Sequence, residues 1–85
     1  MTDFILTYRS LTLAQKAARQ LLHEGIPASV QRTPPELSEA GCSNAVKIRM
    51  YSPLRAIAAA ERAGAAPTKI YTVAKNGALV KWTQG

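Results

Sequence analysis

Ala28-Ser29-Val30-Gln31-Arg32 gives way to Thr33-Pro34-Pro35, and after a polar interval the chain resumes as Ala45-Val46-Lys47-Ile48-Arg49-Met50. In each run apolar and polar side chains alternate with period two, the pattern of a half-buried strand. Proline brings no amide donor to a ladder and restricts the residue before it, so Thr33-Pro34-Pro35 stops the first run. Two strands therefore follow one another with only a loop, residues 33–44, between them.

Strand–helix signals flank this pair. Upstream, Phe4-Ile5-Leu6-Thr7-Tyr8 is short, apolar and rich in strand formers. Ser10 is placed to cap a helix whose Leu11, Ala14, Ala17, Ala18, Leu21 and Leu22 recur at three and four residues, and Gly25 ends it. Downstream, Ser52-Pro53 offers a cap with proline at the first helical position, and Leu54, Ile57, Ala58 and Ala60 or Glu61 carry a second helix to Gly64. Ile70-Tyr71-Thr72-Val73 reads as a fourth strand. Asn76-Gly77 is the strongest hairpin signal present and returns the chain as a fifth, Leu79 to Trp82.

The order is β-α-β-β-α-β with an extra C-terminal hairpin strand, which predicts an α+β, ferredoxin-like sandwich forming one domain over residues 1–85. Right-handed crossovers make the first two strands parallel, with the third returning between them. The 33–44 loop then belongs at the end of the sheet where the first strand turns into the first helix, close to Tyr8, Arg9 and Ser10. The turn holding Thr68 and Lys69 reaches the same end.

That loop carries the one cysteine of the chain, Cys42, between Gly41 and Ser43. A thiol of ordinary pKa, about 8.5, is only a few per cent thiolate at neutral pH. A helix N-terminus and a neighbouring cation favour the anion, and the expected position beside Ser10 and Arg9 supplies both. Gly41 leaves one flank open to a second protein's persulfide or disulfide, and the Ser38 and Ser43 hydroxyls are candidates to hydrogen-bond a thiolate or terminal sulfur. The opposing reading makes Cys42 a small buried hydrophobe, as unpaired cysteines commonly are, although the prolines, carboxylates and serines around it are hard to bury.

Other chemistry is poorly provided for. One histidine and five carboxylates fall at no catalytic or metal-ligand spacing. His23 belongs near the C-terminus of the first helix, where it complements the dipole at the end away from Cys42. A dithiol oxidoreductase needs a resolving cysteine, and soft-metal capture usually needs two thiolates. A single cysteine forms no internal disulfide, and no apolar run approaches a signal sequence or membrane span, so a cytoplasmic location is expected. The net charge is +6. The eleven Lys and Arg residues never form a run, which argues against nucleic acid as the ligand.

Thr33-Pro34-Pro35-Glu36-Leu37-Ser38-Glu39-Ala40-Gly41-Cys42-Ser43-Asn44-Ala45-Val46 resembles the signature of the Se/S carrier protein-like family of small bacterial domains. The resemblance extends to Glu24-Gly25-Ile26-Pro27 and Ala63-Gly64-Ala65, and covers roughly Phe4 to Val73. Pro35 stands where the family commonly has a basic residue, and Ser43 where it has a glycine. The resemblance implies a non-enzymatic carrier without a cofactor, holding sulfur or selenium on Cys42 as a persulfide-type adduct between a desulfurase-like donor and an acceptor protein. Arg9, Ser38, Gly41 and Ser43 are its expected supporting residues. The rival is a small basic binding module that uses Lys47 and Arg49 on the sheet face toward nucleic acid or a protein, pairing of that face into a homodimer being equally compatible.

Overall fold

The computed structural model describes residues 1–37 and 43–83. Along the chain run β1 (Thr2–Tyr8), α1 (Leu11–His23), β2 (Ala28–Arg32), β3 (Asn44–Met50), α2 (Leu54–Arg62), β4 (Lys69–Val73) and β5 (Leu79–Lys81), with a short 3-10 turn, Pro35–Leu37, after β2. The sheet order is β2-β3-β1-β4-β5, and every neighbouring pair is antiparallel. Both β1 and β2 oppose β3, so they run parallel with β3 between them. The fold is ferredoxin-like and extended by β5.

β1 is buried on both faces, as a central strand should be. Phe4, Leu6 and Tyr8 face the helices and join the main core, whereas Ile5 and Thr7 are buried on the opposite face. The strand begins earlier than its apolar run, because Thr2 and Asp3 pair with Met50 and Arg49.

Both helices cover one face of the sheet. Ser10 caps α1 from an extended backbone, its Oγ accepting from the Leu13 amide at 3.0 Å. Gly25, at φ 80°, supplies the left-handed turn that releases the chain toward β2. The buried stripe of α1 is Ala14, Ala17, Ala18 and Leu21; Leu11 and Leu22, expected within it, are about half exposed. In α2 the difference is larger. Ala56, Ala59 and Ala60 are buried, while Leu54 is 47% exposed. Alanine on both facing stripes lets the two helix backbones lie close, and a leucine in that seam would hold them apart. Pro53 also occupies the cap position rather than the first helical one, and Ser52 Oγ meets the Leu54 amide only at 3.4 Å.

Two contacts fasten the α2–β4 connection to the end of β1. The Tyr8 hydroxyl donates to the Ala65 carbonyl at 2.7 Å, and the Thr68 amide donates to the Thr7 carbonyl at 2.8 Å. Burial pushes the Tyr8 phenol above its ordinary range, so it remains a donor.

At the opposite end Glu24 clamps α1 to α2. Its carboxylate accepts from Arg62 Nε at 3.1 Å and again from Arg62 Nη2, and from Gln20 Nε2 at 2.6 Å, while Arg55 donates to the Glu24 carbonyl at 3.2 Å. The Arg62 hydrogen bonds foremost, then the Gln20 bond, pull the Glu24 carboxyl from its ordinary 4.5 down to about 2. A depressed carboxyl pKa stabilises the fold fully above pH 4.5, and that contribution is lost as pH falls toward 2. Glu24→Gln is therefore expected to lower stability at neutral pH, with the gap to wild type closing as pH drops through this window. Denaturant unfolding at a series of pH values reads the gap, and one that widens on acidification would contradict the assignment.

Candidate functional site

The base of the 33–44 loop is fixed by the sheet. Arg32 of β2 pairs with Asn44 of β3, and Asn44 in turn pairs with Tyr8 of β1. One step outward, the Thr33 amide donates to the Ser43 carbonyl at 3.1 Å and closes the loop. The chain therefore leaves and re-enters the sheet where β1 passes into α1, the end expected from the topology. Thr68, bonded to Thr7, stands at that end too.

The expected site residues divide into two groups. Cys42, Ser38 and Gly41 lie outside the described residues. Arg9 and Ser43 lie within them, at the same end of the sheet. Arg9 directly follows Tyr8 and is exposed, and Ser43 directly precedes Asn44 and is exposed. The Ser43 hydroxyl accepts from Asn44 Nδ2 at 3.3 Å. The first turn of α1 contains no acidic residue, so its partial positive charge is not offset there. His23 ends α1 at the far side of the molecule from the loop base, as its spacing predicted.

The chain matches the family described as "Putative Se/S carrier protein-like" over residues 3–72. The chain belongs to this family. The matched span includes Arg9, the whole 33–44 loop and β4 up to Thr72. No curated protein and no solved structure matches the chain. A family of carrier type agrees with a protein that is not an enzyme. Among the described residues, no three of His, Cys, Asp and Glu come together as a metal site, and no helix is long and apolar enough to cross a membrane.

Two features escape a reading by sequence alone. The first is a cleft of about 510 Å³ at the end opposite the loop, with Ile26, Pro27, Met50 and Leu54 among its walls and Arg49 and Arg55 in its lining. Tyr51 stands there 86% exposed. Its signal is faint, since the lining comes from three separate segments. The second is Thr33, which the sequence offers only as a strand terminator. It is 7% exposed, and its Oγ1 is buried with no hydrogen-bond partner among the described residues.

A buried hydroxyl without a partner costs about 1–3 kcal/mol, whereas an apolar group of the same shape does not. Thr33→Val is therefore expected to raise unfolding stability by about 1 kcal/mol, measured by denaturant titration. A clear loss of stability would show that the hydroxyl bonds into the loop and helps to order it.

Proposed function

We propose that this protein is a cytoplasmic, non-enzymatic carrier of sulfur or selenium that works through Cys42. Membership of the carrier-like family, matched across the loop that holds the chain's one cysteine, carries the reading. The loop base beside Arg9 and the uncompensated N-terminus of α1 supports it, because both favour a thiolate. Gly41, Ser38 and Ser43 complete the set: an open flank for a partner's sulfur, and hydroxyls to hydrogen-bond it.

Loading is an exchange. The Cys42 thiolate attacks the terminal sulfur of a donor protein's persulfide, a new S–S bond forms, the donor's S–S bond breaks, and the donor leaves as a thiolate. Unloading repeats the step, with an acceptor protein's thiolate attacking the terminal sulfur and Cys42 leaving. The sulfane sulfur keeps its oxidation state throughout, so no external oxidant or reductant is needed and a second cysteine is not required. Selenium carried as a terminal selenol on the same sulfur follows the same balance.

Protein purified without reductant, or incubated with a cysteine desulfurase and its substrate, is expected to carry a reductant-sensitive mass gain of about 32 (sulfur) or about 80 (selenium). Cys42→Ala should abolish it. Absence of any adduct after desulfurase treatment would remove carriage. Separately, alkylation rates followed against pH should give Cys42 an apparent pKa below about 8.5, and Arg9→Gln should raise it. A value at or above that figure would leave the thiol without activation.

A further inference from the structure

We infer that the sheet face away from the helices is a binding surface for single-stranded nucleic acid, independently of the chemistry at Cys42. The strand registers align Ser29, Lys47, Ile5, Tyr71 and Lys81 as one row across all five strands. Beside it run Gln31, Ala45, Thr7 and Lys69 on the loop side, and Arg49 with Asp3, then Val73 with Leu79, on the other. None of these face residues belongs to the main core under the helices.

The row has the composition that such a ligand requires. Ile5, Thr7 and Ala45 are buried, so contact on this face falls to half-buried Tyr71 and to exposed Lys47, Lys69 and Lys81. Tyr71, half-buried on β4, lies directly beside Ile5, with Lys47 on the other side of Ile5 and Lys81 beyond the tyrosine. An aromatic face stacks any base, and cations on both flanks meet the phosphates. Five strands at about 4.8 Å span about 19 Å, and a sheet of similar width can accommodate two or three nucleotides.

Charge selects this occupant over an ordinary protein surface. Lys47, Arg49, Lys69 and Lys81 are far apart in sequence, yet the registers bring all four to one face. Among the described strand residues, Asp3 is the one carboxylate, and it lies 3.7 Å from Lys47 and 3.5 Å from Arg49. Such exposed pairs are weak, so a phosphate displaces the carboxylate readily.

The test is fluorescence anisotropy with a labelled single-stranded oligonucleotide of about twelve nucleotides, at about 50 mM salt and upward. Binding is expected to weaken with salt, and the double variant Lys69→Gln/Lys81→Gln should flatten the log–log salt slope by about 1.4. Tyr71→Leu should weaken binding about tenfold or more. Asp3→Asn should tighten it by freeing Lys47 and Arg49. Lys16→Gln/Arg19→Gln removes equal charge from α1 and should change the slope far less. Cys42→Ser should leave binding intact, which separates this result from any failure of sulfur carriage. Variants that bind must also keep the wild-type circular dichroism, and the lysine pair serves if Tyr71→Leu does not fold. The inference is overturned by no retention at the lowest salt, by an equal effect of the α1 pair, or by equally tight binding of polyglutamate, which would mark an acidic protein as the partner.

Discussion

The antiparallel register of β1 against β3, running from Thr2 opposite Met50 to Tyr8 opposite Asn44, is the constraint on which the rest depends. Side chains alternate with period two, so a slip of one residue would exchange the faces of β1. Asp3 would then turn into the core, and Phe4, Leu6 and Tyr8 would leave it. The Tyr8 hydroxyl would lose the Ala65 carbonyl, and with it a tie between the sheet and the connection out of α2. Burial of Phe4, Leu6 and Tyr8 decides the register, because the slip would bury the Asp3 carboxylate while Lys47 and Arg49, its partners, stay with β3 on the other face.

From this register the two ends of the molecule acquire different characters. At one end Asn44 is held between Arg32 and Tyr8, so the cysteine loop begins and finishes beside the first turn of α1. That turn has no acidic side chain to cancel its partial charge. At the other end the last turn of α1 is tied down by Glu24, whose carboxylate is already occupied by Arg62 and Gln20. The anion-favouring end is thus open, and the opposite end is internally satisfied.

The strands were legible because their apolar residues alternate cleanly and because proline and Asn76-Gly77 punctuate them. Helix positions were legible through Ser10, Gly25 and Gly64, and so was the buried stripe of α1, Ala14, Ala17, Ala18 and Leu21. The face of α2 was not: a hydrophobic reading ranks Leu54 as core, as it does Leu11 and Leu22 at the margins of α1, whereas the seam between the helices selects for smallness and buries Ala56 and Ala59. Cys42 was identified as the one thiol and assigned to a loop by its neighbours; its loop base and the nearness of Arg9 followed from topology. Residues 38–42 lie outside the described residues, so the sulfur's own surroundings rest on sequence. The basic face was legible only at β3, where alternation places Lys47 and Arg49 together. Lys69 and Lys81 stand far from them in sequence, and only strand register, which no local pattern encodes, brings them to the same face.

Under the function proposed above, a carrier with one thiol would have no second reactive group in its loop with which to choose among partners. Persulfide exchange is blind to everything except an accessible sulfur and a nucleophile, so discrimination must come from fixed surface near the loop. The sheet face adjoins the loop, although the ligand inferred for it is a nucleic acid and not the sulfur donor or acceptor. Chain leaving the loop through Ser43 and Asn44 passes at once to Ala45, which lies beside Thr7 on the sheet face away from the helices, one row from Lys47, Ile5 and Tyr71. A ligand lying across that row would lie one row in from the end of the sheet where the cysteine loop emerges. Recognition on a rigid, charged sheet and chemistry on an adjoining loop can then change independently, since neither uses the residues of the other.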